Sequence, residues 1–274
     1  MTSLSDASIP RPPAPGPGSP AELRLFGLPG IPEVRPGDDL AALVGDAIGR
    51  AGVGLEAGDV LVITHKVVSK AEGRLVRLAG IEPSELARRF AAGAGKDPRQ
   101  VEVALRESRR IVRMDRGVLI AETAHGLVCA NAGVDASNVE PDTVCLLPLD
   151  PDASAARLRA AIGARFGFQP EAAPAVIVSD SFGRPWRNGI VNVAIGVAGL
   201  APLADYRGHR DAAGYELHVS VLAVADELAA AAELVMHKLD ARPAALVRGY
   251  RHPTAAPPGT GRDLIMEAGR DLFR

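Results

Sequence analysis

Aromatic residues make up only 4% of the 274-residue chain, with a single tryptophan, Trp186. Stacking platforms for single-stranded nucleic acid are therefore not expected. Charge of either sign is not in surplus: 31 basic against 33 acidic residues give a net charge of −2. No global positive field invites nucleic acid or an anionic membrane. No apolar run reaches the roughly 18 residues of a membrane span. The two cysteines, Cys129 and Cys145, lack a C-x-x-C spacing and are too few for a disulfide scaffold. They read as reduced thiols in or near strands, as in a cytoplasmic protein. Neither G-x-x-x-x-G-K-[ST] nor a G-x-G-x-x-G after a strand occurs; Gly95-Lys96 is a decoy, with Phe90 in place of the first glycine and Asp97 in place of Ser/Thr. A nucleotide, if bound, is held outside the P-loop and Rossmann types.

What remains is an ordinary globular composition, 47% hydrophobic and 23% charged, long enough for a sizeable core. Residues 1–21, with six prolines at positions 10, 12, 13, 15, 17 and 20, read as an extended, disordered tail without the apolar stretch of a signal peptide. Residues 22–274 read as one folded region, of one or two subdomains. A short strand near Leu23 precedes a helix that Asp38 and Asp39 cap, with Leu40, Leu43, Val44, Ala47 and Ile48 on one face. Residues 59–68 read as one buried strand. Asp97-Pro98 opens a helix running toward Ile111. Short strands are expected at 117–121, 126–130, 143–148, 175–179, 216–224 and 244–247. Helices are expected at 153–166 behind Asp152, from Asp226 to about Lys238, and at 263–273. The mixture is α+β without regular βαβ alternation.

Two segments stand out: residues 131–138 (NAGVDASN) and 179–189 (SDSFGRPWRNG). Each sets a carboxylate, Asp135 or Asp180, among small residues with hydroxyl or amide oxygens, the donors that hard cations take. The second adds Arg184 and Arg187, suited to phosphate. Together they suggest metal-assisted phosphate chemistry, with Asp180 expected at a strand end and Ser181 supplying a further oxygen. Plainer readings stand beside these. Asp135, Ser137 and Asn138 also suit an Asx turn. Arg184 and Arg187 also suit ion pairs with Asp205 or Asp211. Trp186 either stacks on Arg184 or packs. Lys66 and Lys70, expected at the end of a buried strand, are phosphate cations or solvated lysines. The 205–211 loop is a turn or the wall of a site for an acidic substrate. His237 and His252 read as surface or packing residues.

The same motifs, in order along the chain, resemble the coenzyme F420-0:L-glutamate ligases, also called F420-0:γ-glutamyl ligases. They are residues 30–40 (GIPEVRPGDDL), 59–75 (DVLVITHKVVSKAEGRL), 131–139 (NAGVDASNV), 146–153 (LLPLDPDA), 179–189, 205–211, 224–227 (VADE) and 247–249 (VRG). The chain is similar to the ligase half of the two-domain actinobacterial enzymes, whose other half is nitroreductase-like, and is read as a stand-alone ligase domain.

The resemblance implies an F420 ligase-like mixed α/β fold in an intertwined homodimer. It implies a GTP-dependent reaction: the terminal carboxylate of the deazaflavin precursor is phosphorylated, and the amine of L-glutamate then attacks the acyl phosphate. Further γ-linked glutamate follows. Two divalent ions, Mn²⁺ or Mg²⁺, and K⁺ are implied as cofactors. Asp135 and Asp180 resemble ligands of one divalent ion, and Ser181 the residue that meets a second. Asn138, Lys70, His65 and the segment Ile31, Pro32, Glu33 and Val34 resemble GTP contacts. His65 stands where relatives often carry Ser or Gln, and His237-Lys238 where they often read Gly-Gln or Gly-Lys. The rival readings are a carboxylate–amine ligase with another acceptor and a non-catalytic GTP-binding subunit. In the leading one, Asp180, Arg184 and Arg187 do the catalytic work.

Overall fold

The computed structural model describes residues 21–251 and 258–271. The expected tail therefore lies outside the described residues, Ala21 apart. The strands are β1 (Arg24–Gly27), β2 (Val60–Thr64), β3 (Leu75–Arg77), β4 (Ser108–Asp115), β5 (Val118–Thr123), β6 (Val128–Ala130), β7 (Thr143–Cys145), β8 (Ala175–Arg184), β9 (Arg187–Ala198), β10 (Ala204–Asp205), β11 (Val221–Leu222) and β12 (Ala244–Arg248). The helices are α1 (Leu40–Ala51), α2 (His65–Ala71), α3 (Glu85–Ala94), α4 (Pro98–Arg106), α5 (Pro151–Arg165) and α6 (Val224–Met236). This is a mixed α+β fold.

Its centre is a five-stranded sheet in the order β1-β12-β2-β8-β9, antiparallel except for the parallel β2–β8 pair. Strand alternation sorts the core onto its two faces. Leu61, Ile63, Val176, Val178 and Leu246 pack on one side with Val44 and Ile48 of α1 and Leu158 and Ile162 of α5. Val60, Val62, Ile177, Ala245 and Val247 pack on the other with Leu228, Ala229, Ala232 and Met236 of α6. Both faces of β2 and of the first half of β8 are thus buried, which explains their unbroken Val/Ile/Leu/Ala runs. The β12–β2 pair is tied at one end by Asp59, 1% exposed at its side chain, which accepts from Arg248 Nε at 2.9 Å and Nη2 at 2.7 Å. A second lobe carries the β4-β5-β6 sheet, the β3–β7 pair and α3 with α4.

Several expectations need correction. The strand expected over 59–68 stops at Thr64, and His65, Lys66 and Lys70 lie on α2 rather than at a strand end. The strand expected to stop at Ser179 continues to Arg184, so Asp180 lies within it; the arginine loop is the turn of the β8–β9 hairpin. Asp150, not Asp152, caps α5 through Ala153 N–H; Asp152 accepts instead from Val197 and Gly261 N–H. Asp226 sits in the first turn of α6 and accepts from Ala194 N–H; the N-cap is Ala223. Only Val221–Leu222 of the 216–224 segment forms a strand. The helix ending toward Ile111 stops at Arg106, because β4 takes over at Ser108. The closing helix is replaced by 3-10 turns at Gly261–Leu264 and Ala268–Arg270, while residues 272–274 lie outside the described ones.

Candidate functional site

Residue alternation along β8 builds the centre of the site. Val178 faces α1 and α5, so Asp180 falls on the same side, where α2 begins; Ser181 falls on the side of α6. The hairpin register supports this. Asp180 pairs with Val193 and Ser181 with Asn192, while a shift between Val178/Ser179 leaves Ile195 as an extra residue in β9. Such a bulge bends the strand and re-aims the side chains beyond it.

On the α2 side, Asp180 Oδ1 lies 3.3 Å from His65 Nε2 and accepts from Ser181 N–H at 2.7 Å. His65 is buried and its Nδ1 lies 3.4 Å from Ser69 Oγ one turn on, which fixes the ring. The next residue, Lys66, reaches the other carboxylate: its Nζ donates to Asp135 Oδ2 at 2.7 Å and to Ser137 Oγ at 2.6 Å. Adjacent residues at the start of one helix thus hold Asp180 and Asp135, which lie on different elements. Asp135 also accepts from Ser137 N–H and Oγ, the Asx turn that the plainer reading anticipated, now coupled to a lysine. Burial, the largest influence, pushes the Asp135 pKa up; Lys66 and the Ser137 donors together outweigh it and hold the group below its usual value.

The approach to Asp135 is conformationally costly. Asn131, Ala132 and Gly133 have φ of 52°, 53° and 74°, a left-handed turn. Only glycine takes this without strain, and non-glycine residues there cost about 1–3 kcal/mol each. Gly133 is needed for space as well, since a Cβ there would lie 2.6 Å from Leu147 Cγ. The backbone of Asp135 then pairs with Cys145.

Lys70, on α2 and 6% exposed at its side chain, donates to Glu33 Oε1 at 2.5 Å. This joins the 31–34 segment to the site: Ile31 and Val34 are buried in the core, while Pro32 and Glu33 face outward. Asn138 is exposed with φ 57°. Arg184 donates to Asn188 O at 2.9 Å, within the hairpin, and its Nε is buried without a partner. Arg187 is exposed. Asp205 is paired with Arg207, and Asp211 accepts from Ala213 and Tyr215 N–H. The structure therefore gathers Asp135, Asp180, His65, Lys66, Lys70 and Glu33 around α2, and leaves Arg184 and Arg187 on the outer hairpin.

On the α6 side, Ser181 and Lys238, both named from the sequence, meet Asn192 and Glu233, which sequence reasoning missed. Ser181 Oγ donates to Asn192 Oδ1 at 2.7 Å, Asn192 Nδ2 donates to Glu233 Oε2 at 2.9 Å, and Lys238 Nζ lies 2.6 Å from Ser181 Oγ and 3.2 Å from Glu233 Oε1. Asn192 was discoverable once β9 was recognised, as the cross-strand partner of Ser181. Glu233 carries no sequence signal beyond its place on α6. Cys129 is buried, and burial first and the Asp180 charge second push its thiol up to about 12, so it stays protonated.

The donors fit hard cations. Asp135, Asp180, Ser181, Asn192 and Glu233 offer only oxygens, and ammonium groups already sit on two of these clusters. Among the described residues, no three His, Cys, Asp or Glu side chains converge as a closed metal cage. Ions held by one or two carboxylates and completed by phosphate oxygens and water, as Mg²⁺ commonly is, need no such cage. Among the described residues, no helix is long and apolar enough to cross a membrane.

Comparison with known proteins identifies what the chain is similar to. A profile described as F420-0:Gamma-glutamyl ligase matches residues 30–249. A protein of Methanopyrus kandleri named coenzyme F420:L-glutamate ligase is 47% identical over 259 residues, covering 92% of this chain and 98% of the relative. Proteins of the same name from Methanothermobacter thermautotrophicus and Archaeoglobus fulgidus are 44% and 40% identical, each over 92% of this chain and covering 99% and 96% of the relatives.

Proposed function

The chain belongs to the F420-0:γ-glutamyl ligase family, and from that premise we propose that it is an amide-forming ligase joining L-glutamate to the terminal carboxylate of coenzyme F420-0 in F420 biosynthesis, with GTP as the energy source. The observation that carries the reading is the anchoring of Asp135 and Asp180 by Lys66 and His65, adjacent residues of α2. It supports a single phosphate-handling centre assembled from two distant motifs.

A carboxylate does not acylate an amine unaided. Transfer of the γ-phosphoryl group of GTP to a carboxylate oxygen gives GDP and an acyl phosphate. The glutamate amine then attacks the acyl carbon, the C–O bond to phosphate breaks, inorganic phosphate leaves, and the amine proton passes to solvent. Both steps crowd anionic oxygens, so charge neutralisation and positioning do most of the work. Lys66 and Lys70 supply fixed positive charge from one α2 face, where their present partners are Asp135 and Glu33. Asp135 and Asp180 would hold Mn²⁺ or Mg²⁺, which would neutralise phosphate charge and align the reacting oxygens. K⁺ is the remaining cofactor of this reading, and Asn138 with residues 31–34 forms its nucleotide pocket. Repetition on the product adds γ-linked glutamate.

The exposed hairpin end supports a homodimer. Trp186 is 80% and Ile190 57% exposed, and such apolar groups at the tip of a long two-stranded arm favour burial against a second copy. The test is to incubate the protein with coenzyme F420-0, GTP, Mn²⁺ and L-glutamate and weigh the product. Addition of glutamyl mass with matching GDP release is expected. Unchanged coenzyme with unspent GTP would falsify the reading.

A further inference from the structure

The Lys238 ammonium occupies a position built for a cation. Its Nζ lies 2.6 Å from Ser181 Oγ and 3.2 Å from Glu233 Oε1. The Ser181 hydroxyl proton is given to Asn192 Oδ1, so the Oγ lone pairs are left to face Nζ. Asn192 in turn donates to Glu233 Oε2 and steers the other carboxylate oxygen toward Lys238. Serine, asparagine and glutamate come from β8, β9 and α6, and together they form an oxygen-lined seat whose geometry is fixed by hydrogen bonds rather than by the lysine alone.

The backbone beneath Lys238 indicates the same. His237, which ends α6, has φ 53° and ψ 161°, a conformation that side-chain-bearing residues rarely adopt. Met236 before it is 1% exposed, so the chain is pinned immediately ahead of this turn. From this turn Lys238 reaches back to Ser181 on β8. Asp180, next to Ser181 along the strand, faces the opposite side of the sheet, so Lys238 does not compete with His65 for it.

We propose that Lys238 is a resident cation of the site, filling on the α6 side an oxygen-lined position that an inorganic cation would otherwise take. The chain then binds one divalent ion fewer than the same site without the ammonium. The inference rests on the metal-assisted reading above, and it makes residue 238 a determinant of metal stoichiometry.

Free Mn²⁺ measured by electron paramagnetic resonance during titration of the full chain counts bound ions without reference to activity. Lys238→Gln and Lys238→Met are each expected to bind one more Mn²⁺ per chain than the parent, Lys238→Arg to keep the parent count, and Glu233→Gln added to Lys238→Met to lose the extra ion. Thermal melting establishes that each variant is folded, and agreement of the Gln and Met variants guards against one failing to fold. Equal counts in parent and both variants, or no Mn²⁺ bound by any form, would overturn the proposal. GTP-dependent glutamylation by the parent, run on the same preparation, keeps the two readings apart. Its presence with equal counts sinks the Lys238 inference alone, and its absence sinks the reaction.

Discussion

Asp135 and Asp180 are both candidate ion-binding carboxylates, yet they are mounted in opposite ways. Asp180 stands on a strand whose preceding residues are buried on both faces, its side chain is 18% exposed, and its partner His65 is itself buried. Asp135 stands on a loop that follows a left-handed turn, its side chain is 42% exposed, and a lysine and a serine tether it. The strand mount gives position; the loop mount gives adjustability. The proposed reaction, which takes in a nucleotide, phosphorylates a carboxylate and releases products, would gain from one fixed wall and one that yields.

The contrast can be broken at several points, here in order of decreasing effect. Asp180→Asn keeps the size of the side chain and removes its charge. Turnover is expected to fall by about 10³-fold, with a melting temperature within a few degrees of the parent. Near-parental glutamylation would remove Asp180 from the chemistry. Ile177→Ala undermines the strand mount from the core, since Ile177 is fully buried under α6. It should cost about 2–5 kcal/mol in denaturant unfolding, while the folded fraction keeps most of its kcat.

Gly133→Ala attacks the loop mount instead. The new methyl meets Leu147, and the φ of 74° strains any residue with a Cβ. A loss of about 1–3 kcal/mol is expected, together with a raised KM for GTP; unaltered Mn²⁺ and GTP affinity would show that the loop need not be pre-shaped. Lys66→Met frees Asp135 without touching Asp180. An effect of about 10–100-fold, mainly in KM for GTP, is expected, and an equal loss in Asp180-dependent steps would show that the mounts are not independent.

The smallest effect is a control remote from both. Glu102 on α4 accepts from Ser84 N–H at the start of α3; the Ser84 hydroxyl first, then that N–H, and Arg106 hold its pKa down from 4.5 to about 2. A lowered folded pKa means stability that is present above 4.5 and is lost as pH falls toward 2. Glu102→Gln should therefore cost about 1–2 kcal/mol at pH 7, with the gap to the parent closing in acid and activity per folded molecule unchanged. A gap that persists at the lowest pH would assign the effect to packing.

How far these features were legible in the sequence follows from which interactions produce them. The capping aspartates Asp39 and Asp97 and the buried runs of β2 and β12 depend on neighbours in the chain, and they were readable. The change from strand to helix at His65 was not. Residues 60–68 are apolar and mostly β-branched, apart from the 64–66 break, and α2 is helical because it packs against the sheet end, against its local propensity. The length of β9 was hidden by its glycines and by the polar outer half, whose pairing with β8 supplies the order. The carboxylates Asp135 and Asp180 were singled out from local composition, but their connection through Lys66 and His65 is tertiary. Glu233 and Asn192 had no motif at all.

The bulge at Ile195 and the alternation of β8 together impose a phase on the molecule. Asp180 and Ser181 are consecutive letters of the sequence that serve opposite faces of one sheet. An insertion or deletion of a single residue between the core of β8 and this dyad would exchange them, presenting the hydroxyl to His65 and the carboxylate to Lys238. Changes of even number would preserve the assignment. The hairpin can thus drift in length at its tip, beyond Arg184, while its root is constrained to parity, much as a coding sequence tolerates substitutions but not shifts of frame.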